Sequence, residues 1–146
     1  MKTSNLLLRL LAVALLMVGC CAPCRTYQKQ QRPLEDTEWQ LIQLHGRKIT
    51  PTDENFSLRF TPGGEVQGRG ACNRLMGSYT TTKERSLKIG PLASTRMLCR
   101  DPHESEFFAA LEKATHYEMD GPMMLLLSDG DLLAIFQSKA PSPAQE

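Results

Sequence analysis

Cysteine is the residue type with the richest chemistry in this sequence. The five cysteines stand at positions 20, 21, 24, 72 and 99. Cys72 and Cys99 can form a disulfide in an oxidising compartment, and closing a loop of about 28 residues would stabilise a small domain by about 3 kcal/mol. Two alternatives stay open, because the sequence does not give the distance between the two Cα atoms. Either the two residues are separate buried thiols, or they bind a metal ion together with His103.

Nucleophilic catalysis needs a nucleophile, a base and an orienting group, and no motif brings such a set together here. His45, His103 and His116 belong to no recognisable arrangement with a serine or cysteine and a carboxylate. Cys21 and Cys24 have the spacing of a redox or zinc pair, but no βαβ pattern surrounds them. We interpret that pair as incidental or as a local disulfide. We therefore expect no enzyme activity, no cofactor and no bound metal.

Polar side chains next to Cys72 and Cys99 can either hold loops in place or bind a ligand. Asn73 is expected to be structural, because asparagine in a glycine-rich turn usually bonds its own backbone. Thr95 and Arg96 either pin the loop before the helix or, through the guanidinium group, recognise an anion. Structural pinning is the favoured interpretation for this pair.

A disulfide between the two cysteines of the domain would gather nearby arginines into one basic cluster. The arginines of the two joined segments are Arg69, Arg74, Arg96 and Arg100. We hypothesise that Arg74 and Arg96 form part of a binding surface. The alternative is that these arginines pair with neighbours such as Asp101 and Glu104, each pair then being worth about 0–1 kcal/mol and having no function.

Length, composition and charge fit a single globular domain and argue against a nucleic-acid binder. The 146 residues are 41% hydrophobic and 23% charged, with a formal net charge of +1. No global positive charge is therefore available to attract nucleic acid. Residues 33–146 carry 12 basic and 16 acidic side chains, whereas residues 25–32 carry three basic side chains and no acidic one. This asymmetry predicts a basic stalk below a mildly acidic head.

The first 19 residues have the pattern of a secretory signal peptide. Residues 1–9 contain two basic residues, Lys2 and Arg9, and no acidic one. The nine apolar residues 10–18 that follow are too few for the roughly 20 that span a bilayer. The ending Leu16-Met17-Val18-Gly19-Cys20 resembles the lipobox of bacterial lipoproteins, with its leucine one place earlier than is usual. The resemblance implies a diacylglycerol on the Cys20 thiol and a lipid-anchored protein of the bacterial cell envelope, in the outer membrane. The alternative is cleavage without lipid attachment.

The rest of the chain divides into a flexible tether (20–35), a domain (36–137) and a disordered tail (138–146). Alternating apolar residues and frequent turns predict antiparallel β structure in the domain. Phe56, Leu58 and Phe60 are expected to share one face of a strand, and the last two strands are expected to be central. The predicted strands are 38–44, 55–60, 65–70, 77–82, 86–90, 123–128 and 132–137.

One segment of the domain has the pattern of a helix instead. Asp101 is the expected N-cap, Pro102 the first helical residue, and Glu104 stands three residues after the cap. An apolar stripe follows at helical spacing, and it is expected to pack on the sheet. Its members are Phe107, Ala110, Leu111 and Ala114. Glu104, together with the polar residues at positions 112 and 113, is expected to face water.

A family resemblance emerges from the order of these residues. The residues that carry it are Trp39-x-Leu41, Phe60, Gly70-Ala71-Cys72-Asn73-x3-Gly77-x-Tyr79, Leu87-x-Ile89, Pro91-Leu92-Ala93-x-Thr95-Arg96-Met97-x-Cys99, Phe107 and Leu111. They resemble the META/HslJ domain over almost all of 36–137. The resemblance implies a domain of bacterial envelope lipoproteins and heat-inducible proteins, linked to stress and antibiotic tolerance, and it implies no catalytic reaction. The motif residues Asn73, Gly77, Tyr79 and Thr95 are expected to be structural.

The sequence thus predicts an α+β, mostly β fold, in which one helix covers a compact antiparallel sheet or barrel. We expect a non-enzymatic, lipid-anchored envelope protein that contributes to stress or antibiotic tolerance by binding another envelope component. Its partners would be the membrane, through the lipid anchor, and an unknown envelope protein or small molecule, but not nucleic acid. The alternatives are a small-molecule carrier with a barrel-like interior, and an inhibitor or interaction module for an exported protein.

Overall fold

The computed structural model describes residues 31–50, 52 and 55–139. The predicted signal peptide, Cys20, most of the predicted tether and residues 140–146 of the predicted tail lie outside this part. The elements of the described part are β1 (Glu38–Leu44), β2 (Arg47–Lys48), β3 (Ser57–Phe60), β4 (Glu65–Arg69), β5 (Arg74–Thr81), β6 (Leu87–Ile89), β7 (Ala93–Ser94), α1 (His103–Lys113), β8 (His116–Asp120), β9 (Met123–Ser128) and β10 (Asp131–Ser138).

The strands form one antiparallel sheet that curls into a nearly closed barrel. Their order is β6-β5-β4-β3-β1-β10-β9-β8, with β2 added to β1 and β7 added to β5. The two ends of this order meet, because Ser86 and His116 form a β-bridge and the Leu87 amide donates to the Thr115 carbonyl at 2.9 Å. The predicted α+β, mostly β architecture is confirmed.

The barrel interior is filled by large apolar side chains. Alternation places Trp39 and Leu41 of β1 inside, and a β-bulge between Leu41 and Gln43 turns Leu44 to the same face. The Trp39 indole donates to the Leu34 carbonyl at 2.9 Å, which satisfies its buried N–H. The largest fully buried side chains of the described part also include Phe60, Phe107, Phe136, Leu58, Leu111, Met124 and Leu126.

The structure corrects two predictions about strands. Strand β3 begins at Ser57 rather than at residue 55, since Phe56 has a φ of 50° and lies outside the extended region. Phe56 is buried nonetheless, edge-on against the ring of Phe107. Strand β5 begins at Arg74 rather than at the predicted residue 77, whereas both strands of the last hairpin have a neighbour on either side, as predicted.

The helix prediction is right for the apolar stripe and wrong for Glu104. Phe107, Ala110 and Leu111 are buried against the barrel, and Ala114 is buried just after the helix ends. The helix begins at His103 with Pro102 as its cap residue, one residue later than predicted, and the Asp101 carboxylate accepts a hydrogen bond from the His103 amide at 2.9 Å. Glu104 was expected to face water, but it is only 7% exposed.

The ordered unit extends beyond the predicted bounds at both ends. Leu34 and Glu35 were assigned to the tether. Leu34 nevertheless belongs to the core, and the Glu35 carboxylate lies 2.7 Å from the Tyr79 hydroxyl. At the other end, the Lys139 amide donates to the Glu38 carbonyl at 2.8 Å. The compact unit Arg32–Glu146 therefore contains the whole core of the described residues. Within residues 31–139, no helix has the length and apolarity needed to cross a membrane.

Candidate functional site

A disulfide joins the turn between β4 and β5 to the segment that leads into α1. Cys72 and Cys99 are bonded, with their Cα atoms 5.7 Å apart. Of the three possibilities left open by the sequence, the structure therefore contains the disulfide. His103 does not join the cysteines, because its Nδ1 contacts Asp101 Oδ1 at 2.9 Å. The side chain that lies beside the two sulfur atoms is instead the carboxylate of Glu104.

The Glu104 carboxylate accepts three hydrogen bonds from the β4–β5 turn. Its Oε2 atom accepts from the backbone amides of Cys72 at 2.7 Å and Asn73 at 2.8 Å, and its Oε1 atom accepts from Asn73 Nδ2 at 2.5 Å. Two consecutive amides that point at one anion form a concave binding site for it. Hydrogen bonds to an ionised group are about twice as strong as neutral ones. They compensate the desolvation of a carboxylate that would otherwise stay in water.

The electrostatics of Glu104 follow from this environment. Burial raises the pKa of the Glu104 carboxyl, but hydrogen bonds from the Asn73 backbone, the Asn73 side chain and the Cys72 backbone outweigh it, so that the pKa lies below its ordinary value of 4.5. Gly70 makes the close approach possible, because a Cβ atom at that position would lie 2.7 Å from Glu104 Oε2. The carboxylate is thus held charged at neutral pH.

The Asn73 side chain also forms hydrogen bonds with the segment before the helix. Its Oδ1 atom accepts from the Met97 amide at 2.7 Å and from Thr95 Oγ1 at 2.8 Å. Its Nδ2 atom donates to the Met97 carbonyl at 3.1 Å as well as to Glu104. Asn73 therefore bonds a distant backbone segment, and the prediction that it bonds its own backbone is wrong.

Thr95 adds a second attachment to β5. Its hydroxyl accepts a hydrogen bond from the Arg74 amide at 3.1 Å, and its own amide donates to the Arg74 carbonyl at 3.1 Å. Gly77 of β5 leaves space for Leu92, which lies in the loop between β6 and β7, because a Cβ atom at position 77 would lie 3.0 Å from Leu92 Cδ2. These positions hold the loop, in agreement with the role expected for Thr95.

Tyr79 lies apart from the disulfide and supports the barrel. Its ring stacks edge-on against Phe60, with 4.9 Å between centroids. Its hydroxyl lies 2.7 Å from Glu35 Oε1 and 2.9 Å from the Thr61 carbonyl oxygen. Burial and the Glu35 carboxylate raise the pKa of this hydroxyl well above its ordinary value. It is therefore neutral and able to donate.

The arginines near the disulfide do not pair with the carboxylates suggested by the sequence. Asp101 contacts His103, and Glu104 contacts the β4–β5 turn. Within the part of the chain that the structure describes, Arg74 and Arg96 form no ion pair, and both are exposed. The alternative that assigned them to pairs with Asp101 and Glu104 is wrong.

Arg74 lines an open groove of about 670 Å³ on the sheet. This volume falls in the range of small-molecule sites. The groove crosses β1, β3, β4, β5 and β7, and Thr95 also lines it. Arg59 stands at one side, loosely paired with Asp36 at 3.8 Å. Met76, which is 58% exposed, adds an apolar surface. No pattern in the sequence indicates this groove, because its lining comes from strands that become neighbours only in the folded sheet.

Comparisons with known proteins agree with this architecture. A family model described as META domain matches residues 32–140. A solved structure of a protein from Burkholderia xenovorans is 28% identical, with a TM-score of 0.57, and the match covers 74% of this chain and 85% of that one. A DUF4847 family protein from Bacteroides vulgatus shares the fold at 16% identity, with a TM-score of 0.58, covering 75% of this chain and 96% of that one. No curated protein matches the sequence.

Replacing Glu104 with Gln tests the carboxylate network. Because the folded-state pKa is lowered, ionised Glu104 stabilises the fold fully above pH 4.5, and this contribution is lost as the pH falls through the folded-state pKa. We expect Glu104→Gln to lower the free energy of unfolding by about 1–3 kcal/mol at neutral pH. The difference from the native protein should shrink in acid. Urea unfolding at several pH values measures it.

Glu106→Gln is the matched control, since Glu106 lies on the same helical turn in an exposed pair with Arg47. It should change stability by less than about 1 kcal/mol. A Glu104→Gln protein as stable as the control at neutral pH would contradict the role assigned to the carboxylate.

Reducing the disulfide tests its contribution to the loop. We expect reductant to lower the free energy of unfolding by about 3 kcal/mol and to speed trypsin cleavage after Arg96 and Arg100. Urea unfolding and limited proteolysis, each with and without reductant, measure the two effects. Peptide mapping of the native protein without reductant should recover Cys72 linked to Cys99. Recovery of both as free thiols would refute the bond.

Proposed function

The chain belongs to the META domain family, and we propose that it is a lipid-anchored, non-enzymatic protein of the bacterial cell envelope. In this proposal, a lipid on Cys20 retains the protein at the outer membrane. The domain binds another envelope component and thereby contributes to tolerance of envelope stress or antibiotics. The Gly19-Cys20 junction after a short apolar segment supports the anchor, through its similarity to a lipobox.

The observation that carries the binding function is the groove beside Arg74. A guanidinium group that has no ion-pair partner among the described residues stands at the wall of a groove of about 670 Å³. Apolar Met76 and polar Ser57, Gln67 and Ser94 provide the mixed surface that small ligands and peptide segments require. Arg96 follows directly on Thr95, which lines the groove. A polar or anionic group of the component would be recognised there.

The family motif supports a binding rather than a catalytic role, because its polar groups are consumed in holding the loop. Both oxygens of Glu104 and all four hydrogen-bonding positions of the Asn73 amide have partners in the protein. The two cysteines are bonded to each other. A nucleophile or general base would need a lone pair directed at a substrate.

The carrier alternative receives little support from the interior of the barrel. Trp39, Phe60, Phe107 and Phe136 fill that interior and are completely buried. A small barrel whose interior is occupied by side chains has no room for a ligand. A small molecule, if it is the component bound, would therefore occupy the outer groove.

Changing Cys20 tests the anchor. We expect metabolic labelling with a radioactive fatty acid to mark the native protein and not the Cys20→Ala variant, because the acylated residue is removed. The protein should also move from the membrane fraction to the soluble fraction. Cys21→Ala is the matched control and should stay labelled. Unchanged labelling of Cys20→Ala would refute the anchor.

Changing Arg74 and Arg96 together tests the groove. We expect the Arg74→Ala/Arg96→Ala variant to fold normally and to lose the component that copurifies with the native protein from crosslinked membranes. Arg47→Ala/Arg85→Ala removes the same charge from two surface pairs with Glu106 and Glu118. This control should retain the component. Mass spectrometry and survival under envelope stress are the measurements. If the first variant keeps every component and full tolerance, the groove does not serve this function.

A further inference from the structure

Residues 96–100, here called the tip loop, expose two adjacent apolar side chains. Leu98 is 88% exposed and Met97 is 60% exposed. Both are large hydrophobic side chains, and Arg96 and Arg100 flank the segment that contains them. Single exposed hydrophobic residues are ordinary. Met97 and Leu98 form an adjacent apolar pair between two arginines, which is a more specific feature. Neither side chain lines the groove.

The tip loop is exposed because it is held there. The disulfide fixes Cys99 to the β4–β5 turn. The Asn73 amide bonds both the N–H and the carbonyl of Met97, at 2.7 and 3.1 Å. Thr95, just before the loop, forms two hydrogen bonds with the Arg74 backbone and one with the Asn73 side chain. A segment with these attachments cannot fold its apolar side chains back into the core.

The charges around the loop favour an anionic partner. Arg96 and Arg100 are exposed and, like Arg74, form no ion pair in the described residues. The closest carboxylate in sequence, Asp101, contacts His103. The domain as a whole carries more acidic than basic side chains. An anionic surface would therefore repel most of the domain and attract this end of it.

We propose that the tip loop contacts an anionic lipid bilayer, with Leu98 and Met97 entering the interface and Arg96 and Arg100 binding lipid phosphates. A guanidinium group can donate two parallel hydrogen bonds to the oxygens of one phosphate. Peripheral segments bind anionic membranes by inserting apolar side chains while basic side chains contact the headgroups. The inference deepens the proposed function, because it rests on a lipid anchor that keeps the domain near the bilayer.

A lipid surface fits the loop better than a protein partner does. Protein interfaces bury about 800 Å² on each side and concentrate their affinity in aromatic anchors. The tip loop has two apolar side chains and no aromatic residue. Its affinity for lipid would be modest, which suffices when an anchor already supplies a high local concentration.

The test uses residues 32–146, which contain the complete core of the described part and lack the anchor. Flotation measures binding to vesicles of phosphatidylcholine alone and of phosphatidylcholine with phosphatidylglycerol in equal parts. We expect binding to the mixed vesicles that weakens with added salt, and much weaker binding to the neutral ones. Met97→Ser/Leu98→Ser should bind the mixed vesicles at least tenfold more weakly.

Leu132→Ser is the matched control, since Leu132 is an exposed leucine of β10 outside the loop. It should bind as the native domain does. Circular dichroism and unfolding midpoints establish that both variants fold. Equal binding of the loop variant and the control would overturn the proposal. Failure of the native domain to bind either vesicle would also overturn it, and a photocrosslinker at position 98 that captures a protein would then assign the loop to a protein partner.

The vesicle assay and the Cys20 experiment fail independently. Loss of fatty-acid labelling at Cys20 has no influence on an assay with a domain that lacks residue 20. If labelling contradicts the anchor while Met97→Ser/Leu98→Ser still abolishes vesicle binding, the lipid contact stands and the anchor is wrong. If labelling confirms the anchor and vesicle binding is absent, the proposed function stands and the lipid contact is wrong.

Discussion

The positions of the β4–β5 turn and of the segment before the helix depend on one buried carboxylate. Glu104 lies in the first turn of the helix, and its two oxygens take three hydrogen bonds from Cys72 and Asn73. The oriented Asn73 amide then fixes the backbone of Met97. A single ionised group thereby positions two loops that are far apart in sequence. A neutral carboxamide in its place would accept the two backbone hydrogen bonds more weakly and would turn its own NH₂ group toward the Asn73 Nδ2 donor, which is costly.

The barrel supplies the conditions under which that carboxylate can be buried. Phe107, three residues after Glu104, is anchored in the core between Phe56 and Phe136, so the helix cannot rotate its first turn into water. Gly70 leaves space for the carboxylate at the end of β4. The apolar packing of the helix thus determines the position of Glu104, and the electrostatic network depends on the hydrophobic one.

How much of this could be predicted from the sequence differs between local and long-range features. The strand Glu38–Leu44 and the apolar stripe of the helix follow from periodicity, and these predictions are confirmed. Glu104 was misplaced because its position after the cap fits a local capping box, whereas its partners lie about thirty residues away in sequence. The strand His116–Asp120 was missed because its residues are mostly half-exposed and polar. The burial of Glu104 and the formation of β8 both depend on contacts with residues that are distant in the sequence or lie in another strand.

The disulfide and the Asn73 network restrain the same segment, and their combination has a consequence that neither has alone. The disulfide fixes one point, Cys99, about which the loop could still turn. The paired bonds between Asn73 and Met97 fix the direction of the backbone two residues earlier. Together they determine where Leu98 points, and it points into solvent. The hydrophobic effect favours burial of an apolar side chain, and these two restraints oppose the movement of the loop that would bury Leu98.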